Sequence, residues 1–574
     1  MKSFLLSFNH FKSGLIINLV LLTVTTYAQA DFAWAKATHG SGMSYVHSNQ
    51  IKLDSISNIY LFGSFSGNID FDPSENIAIY SSANGSTDVF VSKSDKNGNF
   101  IEAWCFGSGY NDMGFAFDMD SEGNFYLTGV FEGQVDFDPG EDVYLLNSYG
   151  LEDIFLVKLN NNGDFVWAKQ FGGPDSDYSN GLLLVDSDEI LITGTIRGTV
   201  DMDPGPEVFE HIAIQSDGFI CKTDTSGDFI RADFLEGTGN CYPRVIERNT
   251  DSNLFIGGTF FGTTDFNPGG DIFTMHDIDN GDNFLVQLDK DGNFIRALSY
   301  GGVADDFLNY ITIDSQQNIY LAGNFNYQAD FDPGPATYLI NSNGFVDAYI
   351  LKLNKQGEFQ WVYSFGGDEI DDCSSVVLDS SDNLYISGTF YETVDFDPSD
   401  EDWILESNGG YDSFILKIDS SGGFRWAGNI GGPDGDGGYG LILDDSLNIY
   451  QTGGFSDIAD FDPGEETFNL SCGGQNDLYI LKLTPDSPTN VTEIVKINNL
   501  TIYPNPCSTE FNIVSPRSAD CDMIDSQGRI ISQYHVSPGA NKLDLSQIRE
   551  GLYTLVFNFG NEVQTSKLIV NHSD

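Results

Sequence analysis

Asp136-Phe137-Asp138-Pro139 is one of seven copies of a single tetrapeptide, and their spacing decides the fold. The other copies, some slightly varied, begin at Asp70, Asp201, Asp265, Asp330, Asp395 and Asp460. Successive copies stand 66, 65, 64, 65, 65 and 65 residues apart. A period this constant means one supersecondary unit copied along the chain. Around Asp136 the unit reads as strands. Gly114–Asp118 and Asn124–Val130 are apolar, aromatic-rich runs joined by the turn Asp120-Ser121-Glu122-Gly123. The tetrapeptide lies in an excursion after the second run. A third run, Asp153–Leu159, and a fourth, Phe165–Phe171, complete the unit before Gly172-Gly173. No segment keeps a helical period.

The fourth run is out of phase with the others. It recurs from Phe100, Phe165, Phe229, Phe294, Phe359 and Phe424, and the last unit, ending near Leu483, lacks it. The missing copy is Phe32–Gly40, near the start of the chain. A linear β-array exposes unpaired edges. A ring closed by its first strand removes them. Residues 31–484 number 454, one short of seven units of 65. The expected fold is all-β: a seven-bladed β-propeller over residues 31–484, about 65 residues per blade, whose N-terminal strand completes the last blade.

The units GNFYLTGVFEG, DFDPG and DIFLVKLNNNGDFVWAKQFGG resemble the β-propeller repeat of secreted bacterial proteins and, more loosely, blades of the NHL type. That resemblance implies a fold and no single activity. Beyond a polar linker at 485–497, residues 498–574 carry Tyr503-Pro504-Asn505-Pro506, Asp525 to Arg529, Leu543-Asp544-Leu545, Gly551-Leu552-Tyr553 and Lys567–Val570. This ordered set resembles the C-terminal sorting domain of the type IX secretion system, although the chain runs on through Asn571–Asp574 rather than stopping at a short basic end. The resemblance implies a small β-sandwich, the type IX machinery as partner, export through the outer membrane, and release or surface attachment of the propeller.

Residues 1–30 read as a signal peptide. Lys2 and Lys12 precede the apolar run Leu15–Tyr27, and cleavage is expected after Ala30. The run is shorter than the ~20 residues of a spanning helix, and no other stretch is apolar enough to cross a bilayer. The expected location is secreted or cell-surface. The full chain has 26 Lys+Arg against 85 Asp+Glu, a net charge of −59. Such a field repels nucleic acid and anionic membrane and favours cations. The seven cysteines occupy no repeated position, so the fold does not depend on a disulfide framework, although Cys507 and Cys521 could pair within the C-terminal segment.

In an extended segment residues i and i+2 face the same way. Asp136 and Asp138 therefore project together, as do Asp70 and Asp72, Asp201 and Asp203, Asp265 and Asn267, Asp330 and Asp332, Asp395 and Asp397, and Asp460 and Asp462. Two readings stay open. Asp-Pro-Gly is a β-turn signature that explains the second Asp, with a repeated Lys of the third strand, such as Lys158, pairing with the first. Alternatively the paired oxygens bind Ca²⁺. The loops before each first strand add Asp112, Asp177, Asp306, Asp371 and Asp436 to the same end, so an acidic crown around the channel mouth is expected.

Catalysis on a symmetric ring requires residues that break the symmetry. The candidates are Cys241, Tyr242, Arg244, Glu247 and Arg248, with His39 and His47. No nucleophile elbow, zinc spacing, P-loop or sialidase-type box is present, and no catalytic residue is named. Two functions follow: a secreted binding module for a protein or glycan, or a polysaccharide-active lyase or glycosidase. A pocket lined by Tyr242 and Arg244 favours the enzyme; a shallow acidic crown with equal blades favours the binder.

Overall fold

The computed structural model describes residues 29–185, 188–399, 402–485, 495–497, 500–515, 517–525, 529–558 and 563–571. The leader reading on residues 1–28 and most of the linker lie outside these. The chain divides into two units, Met1–Pro485 and Asp486–Asp574.

The first unit is built from antiparallel four-stranded sheets. In one, Met113–Met119, Phe125–Phe131, Asp153–Leu159 and Phe165–Phe171 pair in sequence order. The small hairpin Gln134–Asp136 with Leu145–Asn147 rises between its second and third strands. Strand pairing defines seven such four-stranded sets. The last joins Gly437–Leu443, Ile449–Phe455 and Asp477–Thr484 to Asp31–Ala37, with Asp31 opposite Thr484 and Ala37 opposite Tyr479. The first described strand thus completes the final sheet. The innermost strands Tyr45–Leu53, Met113–Met119, Tyr178–Val185, Cys241–Arg248, Phe307–Ile313, Asp372–Leu378 and Gly437–Leu443 each pack on the next, and the last packs on the first. The unit is a closed β-propeller.

The Phe of the repeated tetrapeptide is the wedge between sheets. Phe137 is fully buried and lies 5.3 Å from Phe106 of the preceding sheet and 5.2 and 5.5 Å from Phe131 and Phe155 of its own. Phe71, Met202, Phe266, Phe331, Phe396 and Phe461 are buried at the same position. Full burial of such a side chain contributes roughly 1.5–3 kcal/mol.

The second unit is a sandwich of two four-stranded antiparallel sheets. One contains Leu500–Tyr503 and Glu510–Ser515, the other Ala519–Ile524 and Gly551–Asn558. Ile502, Phe511 and Ile513 meet Met523, Leu555 and Phe557 between them. Asn505 ties the Tyr-Pro-Asn-Pro motif to the last strand: its amide donates to Lys567 O at 3.0 Å and its oxygen accepts Ile569 N–H at 2.8 Å. Cys507 and Cys521 are both buried and remain free thiols, as do the other five.

Candidate ligand site at the channel mouth

Every innermost strand carries a β-bulge at the same register. The pairing shifts between Gly114 and Ala116, Ser179 and Gly181, Pro243 and Val245, Leu308 and Tyr310, Cys373 and Ser375, and Gly438 and Gly440. A bulge re-aims the extra residue away from the ladder. Those residues are Phe115, Asn180, Arg244, Asn309, Ser374 and Tyr439, and all six line one cavity of about 740 Å³ along the ring axis. In these six copies the bulge residue is Phe, Asn, Arg, Asn, Ser and Tyr, five types at one register. Tyr242, two residues before Arg244, is in the same wall, with His47 and Asp372.

The mouth is polar and asymmetric. Arg244 lies over the Phe307 ring at 5.3 Å, and its guanidinium donates to Asn309 Oδ1 at 3.4 Å. Asp372 accepts the Asn324 amide at 2.6 Å and the Asn309 amide at 3.1 Å. Burial pushes the Asp372 carboxyl above its ordinary range, opposed by the Asn324 hydrogen bond and the Arg244 charge. His47 packs on Tyr439 with ring centres 4.1 Å apart. Toward the other end of the channel Lys52 pairs with Asp118 at 2.5 Å, and burial raises the Glu247 carboxyl.

Among the symmetry-breaking candidates, the channel therefore gathers Tyr242, Arg244, Glu247 and His47. Cys241 is buried, and His39 pairs with Asp70 on the adjoining hairpin. Ala30 is buried beside the closing strand. Sequence reasoning missed the bulge ring as a set. The chain carries little signal for it, because the flanking residues vary from copy to copy as the bulge residue does.

The tetrapeptide acids have other partners. Asp136 Oδ1 accepts Asp138 N–H at 3.2 Å and Tyr144 N–H at 2.8 Å, closing the hairpin loop. Asp138 Oδ1 accepts Gly140 N–H at 2.8 Å. The same pattern holds at Asp70 and Asp72, Asp201 and Asp203, Asp265 and Asn267, Asp330 and Asp332, Asp395 and Asp397, and Asp460 and Asp462. Each pair sits on its own hairpin. Among the described residues no three His, Cys, Asp or Glu side chains come together as a metal-holding group.

Two expectations about charge need correction. Lys158 is opposite Tyr126, at the far end of its strand from the tetrapeptide, so it lies over that ring at 4.8 Å instead of pairing with Asp136. Lys93, Lys352, Lys417 and Lys482 lie likewise over Tyr60, Tyr320, Tyr385 and Tyr450. Asp112, Asp177, Asp306, Asp371 and Asp436 do not form an exposed crown: each is at most 1% exposed. Their carboxylates accept backbone N–H groups at the end of the preceding sheet, as Asp177 accepts Gly173 N–H at 2.8 Å. Burial pushes Asp177 up to about 7 and Asp306 up to about 8.

Residues 501–571 match the secretion system C-terminal sorting domain family. An uncharacterized WD repeat-containing protein of Acanthamoeba polyphaga mimivirus is 24% identical over 365 residues, 52% of this chain. The chain spans about a quarter (26%) of that relative's length. Two solved structures are similar over 95% of the chain. One is the extracellular domain of a putative one-component system of B. thetaiotaomicron (10% identity, 99% of that chain, TM-score 0.16). The other is PorZ, a surface component of the type IX secretion system of Porphyromonas gingivalis (11% identity, 100% of that chain, TM-score 0.16). Among the described residues no helix is long and apolar enough to cross a membrane. The chain carries a type IX sorting tail behind an all-β propeller and is a secreted or outer-surface protein.

Proposed function

We propose that the exported propeller is a binding module that holds a short polyhydroxyl segment, such as a glycan chain, at the channel mouth. The bulge ring carries this reading. A frame conserved from unit to unit presents an aromatic face at Tyr439, amides at Asn180 and Asn309, a hydroxyl at Ser374 and a cation at Arg244. Aromatic faces and convergent polar groups in a concave site suit such a ligand. The hairpin acids, bonded to their own backbones, are structural in this reading. A glycan array probed with the full-length protein tests it. Binding weakened ~10-fold or more in Arg244→Ala and Tyr439→Ala supports the reading; unchanged binding in both variants, or none with any glycan, removes it.

A second reading, a polysaccharide-active enzyme, draws on the pocket wall that holds Tyr242, Arg244 and Asp372, the feature that favours an enzyme; it stands second because Asp372 is the one carboxyl among these three, whereas glycoside hydrolysis uses a pair. Burial raises the Asp372 carboxyl, which makes it the candidate to hold or pass a proton. Release of reducing or unsaturated ends from acidic polysaccharides, lost in Asp372→Asn, is the expected outcome of that reading.

A further inference from the structure

The junctions between neighbouring sheets bury aspartates that the channel does not use. Asp153 opens the third strand of one sheet, and Asp177 lies in the loop leading to the next; both are 0% exposed. Asp177 is satisfied, its Oδ2 by Gly173 N–H and its Oδ1 by Arg197 N–H, both at 2.8 Å. Asp153 is not. Its Oδ2 accepts Tyr149 N–H at 2.8 Å and the Gln170 amide at 2.6 Å, while its Oδ1 is buried with no hydrogen-bond partner. That oxygen borders a notch. A β-carbon on Gly172 would stand 2.7 Å from Asp153 Oδ1 and 3.0 Å from Asp177 Oδ2.

The notch is repeated. At Gly301 the same point lies 2.6 Å from Asp282 Oδ1 and 2.8 Å from Asp306 Oδ2; at Gly366 it lies 2.5 Å from Asp347 Oδ1 and 2.9 Å from Asp371 Oδ2. Gly366 has no positive φ, so its backbone does not require glycine. The space in front of the carboxylates does. Asp282, Asp347 and Asp412 leave Oδ1 orphaned as Asp153 does, and so does Asp217. Asp412 with Asp436, and Asp88 with Asp112, bring the two-aspartate junctions to five, but Asp88 Oδ1 has the Ser86 hydroxyl at 3.4 Å, so four of the five carry the orphan. A buried carboxylate oxygen without a partner is costly, and a chain that repeats one has a use for it.

The other two junctions supply the contrast. Cys241 stands 24 residues past Asp217, as Asp177 stands past Asp153, and Ser44 stands four past Gly40, as Asp177 stands four past Gly173. Each has lost the second carboxylate, and each has a histidine. His211 Nε2 lies 2.9 Å from Asp217 Oδ2. His39 occupies the glycine position, and its charge acts on Asp477. One carboxylate is accompanied by an imidazole, whereas two are accompanied by no cationic side chain in contact. The perturbing charges at Asp177 and Asp306 are other carboxylates.

We infer that each of the four two-aspartate junctions with an orphan binds one hard divalent cation, calcium, through the orphaned oxygen of the strand aspartate and the facing oxygen of the loop aspartate, with backbone carbonyls and water completing its shell. Calcium then crosslinks consecutive sheets at these four places in the ring.

The test is calcium content and thermal melting of the full-length protein, purified without chelator and exchanged into calcium-free buffer at pH 7.5. About four calcium ions per chain are expected to stay bound. Their removal by chelator should lower Tm by ~10 °C or more. Calcium should restore it, and equal magnesium or sodium should not. Asp177→Asn should lose about one ion. If that variant does not fold, Gly366→Ala, which puts a β-carbon in the notch, should lose one as well, while Asp217→Asn and the exposed-site control Glu141→Gln keep all. A chain that retains no stoichiometric calcium, a Tm indifferent to chelator, or equal loss in Asp177→Asn and Glu141→Gln would overturn the inference.

Discussion

The sheet junctions and the channel wall are made by the same sheets under opposite constraints. At a junction the same side chain recurs at each copy: a buried Phe or Met in the tetrapeptide and a buried Asp opening the third strand. In the wall, at the bulge, six described copies give five residue types at one register. Residues that hold the ring must be alike because each meets the same neighbour. Residues that face the axis meet solvent, and in the proposed function their variety carries recognition. Part of the repeated acidity closes turns instead. Asp120, for instance, accepts Glu122 and Asn124 N–H groups at 2.9 Å and the Asn124 amide at 2.7 Å.

The contrast breaks first at the wedge. Phe137→Ala should lose about 3–5 kcal/mol, because a closed junction cannot collapse onto the cavity. Urea denaturation of the variant checks it; a loss below 1 kcal/mol would mean that the junction is not where the ring is held.

Next is pH. Burial raises the junction aspartates in the folded ring, Asp153 up to about 6 and Asp306 up to about 8, from an ordinary value near 3.8. A raised carboxyl binds its proton more tightly when folded. Its stabilising effect is complete below the unfolded value and is lost as pH rises through the folded one. In chelator, Tm should therefore rise as pH falls from about 8.5 to 5. The turn aspartates act oppositely. Hydrogen bonds hold Asp120 and Asp444 below their ordinary value. Their contribution is present above about 3.8 and lost as pH falls through the lowered value. Melting curves from pH 3.5 to 8.5 with chelator should peak between these limits; a flat profile above pH 5 would contradict the burial.

The channel wall should respond in function rather than stability. Arg244→Ala should shift unfolding by less than about 0.5 kcal/mol, the range of solvent-facing substitutions. It should weaken binding of any glycan found on the array by ~10-fold, or ~1.4 kcal/mol. The smallest effect is expected at Lys158→Met, where loss of the cation over Tyr126 should cost about 0.5–1 kcal/mol by the same urea assay.

Much of this frame was legible in the chain. The period, the turn chemistry of Asp-Pro-Gly and the displaced strand Phe32–Gly40 led to the closed all-β ring, because each reflects a local backbone requirement. Side-chain destinations were harder. Asp177 reads as a loop acid until the loop folds back and turns its carboxylate to Gly173 N–H. Lys158 and Asp136 recur once per unit, yet strand direction sends them to opposite ends of the sheet. A bulge places two residues opposite one, and an alternation pattern cannot locate it. Arg244 and Tyr242 were found because they differ from their repeats; Asn180 and Asn309, unremarkable in type, were not.

The channel exists only if the ring is closed by the strand nearest the start of the chain. Hydrogen exchange of the native protein reads this directly. A closed ring predicts that the amides of Asp31–Ala37 exchange as slowly as those of Phe165–Phe171, the fourth strand of an uninterrupted sheet. Exchange of Asp31–Ala37 within seconds, while Phe165–Phe171 stays protected, would contradict it.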